Sequence, residues 1–384
     1  MAPTILLITK DAPTPDRRKA GLFPVAIRQH LGLKANILLF AIEDGLSDDA
    51  SPLSGFPDLT YLNQTMQPTG RLVSKSRFLA NELLFRQMAR VAKEHNVDAV
   101  MGLQSAPRTG LLAQRIANVV GCPFASWEHL TSYGRTDVGL NDRALRAYFA
   151  KANAVAAVSG RTLRAIEKRY DMVLEAGVTI PNPVPDDFEA LPRPKENNFA
   201  DHTNGFFTFG AWTNWRDIKR LDLLLSAFAT VAAQRPNAKL IIAGPIPDKM
   251  GGSFETHPAS DRIVRLGNVS REDIRHLAYA VDCCCLPSDH ETFGLPVVEA
   301  LAAGKPVVST NTDGPSEILG DHPWLGHLVP KGDASAFAEA MTSVMDEQAT
   351  YSAEKLRKHA IDVYGQKSQT ARWTALYASM GLSV

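Results

Sequence analysis

Two glutamates with seven residues between them, Glu291 and Glu299, flank a glycine, Gly294. The apolar run Val281 to Pro287 reads as a buried strand, and the polar loop Ser288 to Thr292 follows it. A helix is predicted to open at Leu295, with Pro296 in its first turn, where a missing N–H costs nothing. Gly304 is predicted to close it, and Val307 to Thr310 reads as the next strand. Such a strand, loop and helix suits an anion. Gly294 lets backbone approach a ligand with no Cβ in the way, and the first helical turn offers free N–H groups and the positive end of a dipole. The two carboxylates would be repelled by a phosphate and are better suited to accept hydrogen bonds from hydroxyls, such as those of a sugar. Phosphate and sugar together point to a nucleotide sugar.

The stretch Glu291-Thr-Phe-Gly-Leu-Pro-Val-Val-Glu299-Ala-Leu-Ala-Ala-Gly304-Lys-Pro-Val-Val resembles the Glu-x7-Glu signature of glycosyltransferase family four, retaining enzymes of the GT-B fold. The resemblance is strong from about 180 to 319 and mainly topological from 1 to 180. It implies an α/β chain of two Rossmann-like, doubly wound domains facing a central cleft. Residues 1–183 would form an N-terminal acceptor-binding domain, joined by a C-terminal helix, 366–384. Residues 184–365 would bind the nucleotide sugar.

In the pattern of that family, Glu299 would meet the ribose and Glu291 the hydroxyls of the transferred sugar. The backbone of Phe293, Gly294 and Leu295 would hold the diphosphate, and the backbone at Val269 the base. The family usually shows Gly-Arg-Leu after the first strand of this domain and a lysine some six residues later, both neutralising the leaving diphosphate. Lys219 matches the lysine, but Ala211 stands where the arginine belongs; Arg216 is put forward as the second positive charge. Gly21 fits the glycine of the first N-terminal loop, and His129 fits a histidine that hydrogen-bonds a sugar hydroxyl near the reacting carbon. Tyr133 and Arg135 lie just beyond and could touch an acceptor.

The resemblance implies a metal-independent retaining glycosyltransferase. It would move a hexose-type sugar from a nucleoside diphosphate sugar to a glycan, lipid-linked or small-molecule acceptor. No cofactor is implied beyond the donor itself, with a UDP-sugar set slightly ahead of a GDP-sugar. The alternative is a non-catalytic homologue that binds a nucleotide or glycan. Ala211 favours it weakly, and the presence of both glutamates argues against it. A nicotinamide oxidoreductase would want Gly-x-Gly-x-x-Gly after its first strand, and neither Gly21 nor Gly210 opens such a motif.

The elements that must position these residues follow an α/β alternation. A chain of 384 residues is comfortable for two domains. Strands are predicted at Thr4 to Thr9, Asn36 to Ile42, Val97 to Gly102, Pro123 to Trp127, Asn153 to Val158 and Val178 to Asn182. The C-terminal half continues with Phe206 to Gly210, Lys239 to Gly244 and Arg262 to Leu266. Ends of strands face the ligand crevice in doubly wound sheets, which is where Glu128 and His129 fall. Ser159 should cap a helix from Gly160 to Tyr170, Ser270 with Asp273 resembles a capping box, and Leu221 to Gln234 is helical. Asp44 to Gln67 reads as turn-rich, and Pro183 to Gly205 as an aperiodic linker. Late helices are predicted from Ala334, over Ala353 to Tyr364 and over Gln369 to Met380, with a kink at Tyr364-Gly365.

Charge adds a hint about partners. The 41 basic and 41 acidic residues cancel, but residues 1–180 hold 22 Lys and Arg against 16 Asp and Glu. The helical stretch Arg71 to His95 interleaves basic and apolar residues. An anionic membrane surface is therefore read as a partner of the N-terminal domain, and nucleic acid is not. No stretch approaches the roughly 18 apolar residues of a membrane span, and Thr4 to Ile8 is a strand and not a signal peptide. Cys122 and the run Cys283 to Cys285 behave as small hydrophobes and lack the spacing of metal ligands. Reduced thiols fit a cytosol, so the chain is read as cytoplasmic, or peripheral on the inner face of the membrane.

Overall fold

The computed structural model describes residues 2–11, 30, 32–43, 59–61, 77–103, 109–129, 133, 142–248 and 251–384. They fall into two compact units, 1–181 with 369–384, and 182–368. Gly21 and Arg135 lie outside the described residues, as does the stretch 71–76 at the start of the basic helix.

The first unit is built on a seven-stranded parallel sheet. Its strands are β1 (Thr4–Asp11), β2 (Asn36–Glu43), β3 (Leu59–Tyr61), β4 (Ala99–Leu103), β5 (Phe124–Glu128), β6 (Ala154–Ala157) and β7 (Gly177–Thr179), in the order β3-β2-β1-β4-β5-β6-β7. β3 lies inside the stretch read as turns. It has only three residues, too few for a periodic signal, and forms by pairing with Ile37, Leu38 and Leu39 of β2. Strands buried on both faces read as continuous apolar runs, and every residue of β4 and β5 is buried.

The helix Gly160–Tyr170 starts where the sequence suggests, with the Ser159 hydroxyl accepting from the Thr162 N–H. Residues from 369 onward complete this unit. Trp373 is fully buried, 5.3 Å edge-on from Trp127, and the Tyr377 hydroxyl lies 2.9 Å from His30 Nε2. The helix Arg77–Glu94 packs Met88, Ala89 and Ala92 inward, while Arg86 and Arg90 face outward and pair with Glu82 and Glu94 one turn away. No helix among the described residues is long and apolar enough to cross a membrane.

The second unit carries a six-stranded parallel sheet. Its strands are β8 (Phe207–Trp212), β9 (Ala238–Ala243), β10 (Ile263–Gly267), β11 (Cys283–Leu286), β12 (Val307–Thr310) and β13 (Gly326–Val329), in the order β10-β9-β8-β11-β12-β13. The chain winds outward from β8 to β10, returns to β11 beside β8, and winds the other way to β13. β8 and β11 are therefore the topological switch point, where doubly wound sheets open a crevice beyond their carboxyl ends. The pairing Cys283↔Phe209 and Cys284↔Gly210 sets those ends side by side. Cys283, Cys284 and Cys285 are free thiols in the core, and burial pushes the Cys284 and Cys285 thiols well up.

The segment read as a linker is partly ordered onto this unit. It forms the short helices Asp186–Glu189 and Ala200–Thr203. Phe188 is fully buried and stacks on Tyr279 at 6.0 Å, and the Val184 N–H donates to the Tyr364 carbonyl. Phe188 is the segment's one buried aromatic, a signal too sparse for periodicity to reveal.

Candidate functional site

The helix Leu295–Ala302 follows β11 through the loop that holds Glu291. Gly294 is its N-cap, at φ +85° and ψ 65°, with Pro296 in the first turn. A side chain there would be strained by the left-handed backbone, and its Cβ would lie 3.1 Å from Pro315 Cγ. The neighbour that crowds this position is Pro315 of the next helix, Asp313–Leu319. Gly314 is tighter still, since a Cβ would stand 2.1 Å from the Phe293 carbonyl oxygen. The Gly314 N–H also donates to the Glu291 carbonyl at 3.3 Å. The loop 291–294 is therefore clamped on one side by the helix that follows β12. Phe293 is buried, edge-on to Tyr364 at 5.8 Å.

On the other side the loop meets the segment that leaves β8. The Asp289 N–H donates to the Ile218 carbonyl at 2.8 Å. That contact brings Lys219 against the loop, and its Nζ lies 2.5 Å from Glu291 Oε1. The Ser288 hydroxyl donates to the same oxygen at 2.9 Å. Both ionic side chains are about one-tenth exposed. Arg220 turns aside to Asp222 and Asp289, at 2.9 and 3.2 Å. Arg216 stands at the start of the short 3-10 turn 217–219, its carbonyl accepting from the Lys219 N–H at 2.7 Å, and its exposed side chain makes no hydrogen bond or ion pair among the described residues.

Glu299 is buried within the helix, and both of its oxygens are engaged. Trp212, the last residue of β8, donates its indole N–H to Oε2 at 2.6 Å. Arg271 places a terminal nitrogen 2.5 Å from Oε1. Arg271 opens the helix Arg271–Ala280, whose N-terminus is fixed by the reciprocal capping box of Ser270 and Asp273. Its guanidinium also pairs with Asp187 at 3.0 Å and lies over the Phe188 ring at 5.1 Å. Val269 sits half-buried just before that helix. Trp212, Arg271 and Asp187 are the residues that sequence reasoning missed. The substitution beside Ala211 was the one available signal, since an indole in a loop-proximal strand end needs a hydrogen-bond partner when buried.

In the first unit, His129 follows β5 and is buried, its ring edge-on to Trp127 at 4.0 Å. Nε2 has no hydrogen-bond partner among the described residues. Burial pushes its pKa down to about 3, so the imidazole is neutral at ordinary pH. Glu128 points into the core, where the Tyr133 hydroxyl donates to it at 2.6 Å. Tyr133 is itself buried. Among the described residues no group of three or more His, Cys, Asp or Glu side chains is placed to hold a metal ion.

The second unit, then, gathers two glutamates, a lysine and an arginine at the switch point of a doubly wound sheet. Residues 195–363 match the model of the family described as glycosyl transferases group 1. Among curated proteins, the chain is 24% identical over 169 residues to the N-acetyl-alpha-D-glucosaminyl L-malate synthase of Bacillus anthracis, 43% of each chain. It is 32% identical over 133 residues to the phosphatidyl-myo-inositol mannosyltransferase of Mycobacterium leprae, 33% of this chain and 34% of that one. The matched segment spans less than half the length of either relative. Among solved structures, HepE of Anabaena in complex with UDP superposes with a TM-score of 0.76 at 17% identity, covering 98% of this chain and all of that one. At that identity the likeness is one of fold, the paired Rossmann-like units of GT-B proteins.

Proposed function

We propose that this chain, whose residues 195–363 belong to the glycosyl transferases group 1 family, moves a hexose-type sugar from a nucleoside diphosphate sugar to a hydroxyl acceptor with retention at the anomeric carbon. The observation that carries this reading is the arrangement beyond β8 and β11. There a glycine-capped helix start is set between two carboxylates, the buried Glu299 and the half-buried Glu291, each held by a cation. Backbone of Phe293, Gly294 and Leu295 suits the diphosphate. Glu299 suits the ribose, Glu291 the sugar hydroxyls, and backbone at Val269 the base.

As the bond between the anomeric carbon and the phosphate oxygen breaks, negative charge builds on the diphosphate. Fixed positive groups lower a barrier most where charge develops, and Lys219 is the buried cation placed for that. Arg216, exposed and unpaired among the described residues, is free to add a second charge when a diphosphate binds. The sugar passes through an oxocarbenium-like state. The acceptor oxygen bonds to the anomeric carbon on the face the phosphate leaves, and the acceptor proton passes to the leaving phosphate oxygen. Cationic side chains and the helix start do here the work a metal ion does elsewhere, so the reaction is proposed to be metal-independent.

The UDP bound by Anabaena HepE supports a uridine donor, and the mannosyltransferase relative named for phosphatidyl-myo-inositol supports a lipid among the acceptor classes. Acceptor recognition is assigned to the N-terminal unit, with an anionic membrane surface as its partner, and His129 is assigned a hydrogen bond to a sugar hydroxyl near the reacting carbon. A second reading, a non-catalytic nucleotide binder, rests on Ala211 in place of the family's arginine.

Titration calorimetry of UDP, GDP, ADP and dTDP in EDTA, on wild type and Glu299→Ala, tests the donor site. Tight binding of one nucleotide, lost in the variant, is the expected result. Binding by none of the four would remove the proposal. Binding without turnover of the matching sugar nucleotide would favour the second reading.

A further inference from the structure

We infer that Arg271 is a positioning residue for donor binding, acting through Glu299; the inference rests on the nucleotide-sugar reading above. Arg271 touches no reacting atom in that reading. It sets the orientation of the carboxylate that meets the ribose.

The geometry is that of a bridge. One arm of the guanidinium meets Glu299 Oε1 at 2.5 Å, and Nε meets Asp187 Oδ2 at 3.0 Å. The backbone of Arg271 is fixed by the capping box at its own helix start, and the guanidinium lies over Phe188, which stacks on Tyr279. Asp187 is held in turn, because Arg275 donates from Nε to its carbonyl at 2.5 Å. A planar fork can join two carboxylates at once in a way a lysine ammonium cannot.

The consequence lies in what Glu299 has left to offer. A carboxylate oxygen accepts about two hydrogen bonds. Arg271 takes one on Oε1 and Trp212 takes one on Oε2. One acceptor direction remains on each oxygen, the pattern that two neighbouring hydroxyls of a ribose require. Without Arg271, the carboxylate would be anchored by the indole alone and free to rotate about its terminal torsion, which is broad for glutamate.

The test is a comparison of UDP with its 2′,3′-dideoxy analogue by calorimetry, on wild type and Arg271→Ala. Wild type is expected to bind the dideoxy analogue at least about tenfold more weakly, the low end for one hydrogen bond to a charged group. Arg271→Ala is expected to lose about tenfold on UDP and less than about twofold on the analogue. The ribose hydroxyls and the arginine would then be removing the same interaction. Equal losses on both ligands, or no loss on either, overturn the positioning role.

A wild type that binds both ligands equally overturns the ribose reading of Glu299 itself, and with it the role of Arg271. Should Arg271→Ala fail to fold, Arg271→Lys keeps the charge without the bridge and must show the same selective loss. A uniform loss in that variant overturns the inference equally. Asp187→Asn, which loosens the outer end of the bridge, should weaken UDP binding selectively and to a smaller degree.

Discussion

Lys219 Nζ lies 2.5 Å from Glu291 Oε1, with both side chains about one-tenth exposed. The lysine is carried by the turn after β8 and the glutamate by the loop after β11, 72 residues later. The cation proposed to meet the leaving group is thus already held by the glutamate proposed to meet the sugar. Donor binding must divide the hydrogen bonds of Lys219 between them, and its three donors allow that.

Breaking this pair from one side leaves a charge without its partner in a largely buried site. Lys219→Met is expected to destabilise the second unit by about 3 kcal/mol, the lower part of the range for a split buried pair. The double variant Lys219→Met with Glu291→Gln should recover part of that loss, since neither charge is then stranded. Urea unfolding of the single and double variants measures the difference. A double variant as unstable as the sum of its two singles would show that the pair is not coupled.

Trp212→Phe keeps the ring and removes the indole N–H that reaches Glu299 at 2.6 Å. Loss of a hydrogen bond to a charged acceptor should cost about 2 kcal/mol of stability. Val297→Ala on the same helix tests a different mechanism, loss of packing, and should not alter nucleotide selectivity. Trp212→Phe with wild-type unfolding and wild-type nucleotide affinity would discount this contact.

His129 gives a pH dependence with a defined sign. Its folded pKa, pushed by burial down to about 3, lies below the ordinary histidine value of 6.5. Above 6.5 both states are neutral and His129 adds no dependence. Below 6.5 the unfolded chain takes up a proton that the folded chain refuses, so stability falls as pH drops toward 3. The slope attributable to this residue is about 1.4 kcal/mol per pH unit within that window. His129→Asn should flatten the fall between pH 6.5 and 5, as read by urea unfolding at both values. Parallel pH profiles for variant and wild type would contradict the burial of a neutral imidazole.

Two glycines of the loop clamp should differ in their tolerance. Gly294→Ala meets a left-handed backbone, which costs about 1–2 kcal/mol, and a Pro315 ring that can give slightly at 3.1 Å. Gly314→Ala meets the Phe293 backbone at 2.1 Å, so the loop itself must move. Gly314→Ala should therefore lower the unfolding midpoint further and weaken nucleotide binding more. Thermal melts and calorimetry rank the two; the reverse order would mean that the loop can shift without cost.

Much of the fold was legible where local chemistry decides it. The helix bounds Gly160–Tyr170, Leu221–Gln234 and Ala353–Tyr364 follow from caps and apolar spacing, and the observed elements have the same limits. The glycine and proline around Leu295 likewise mark a helix start that needs no distant partner. β3 and the 186–189 helix were not legible, because three or four residues carry no period and each is held by what it packs on.

The sequence by itself determined which groups this protein can use: two glutamates on a glycine-punctuated strand–helix unit, a lysine before an apolar helix, and an alternation of strands and helices. Those are properties of neighbours along the chain, where backbone preference and side-chain spacing act directly. Only the tertiary structure decided who meets whom. Trp212 and Glu299 are 87 residues apart, and Arg271 and Asp187 are 84 apart. They converge because the second sheet places β8 beside β11 and folds the 186–189 segment onto the helix after β10. Strand order is set by burial summed over the whole core, and no local spacing encodes it.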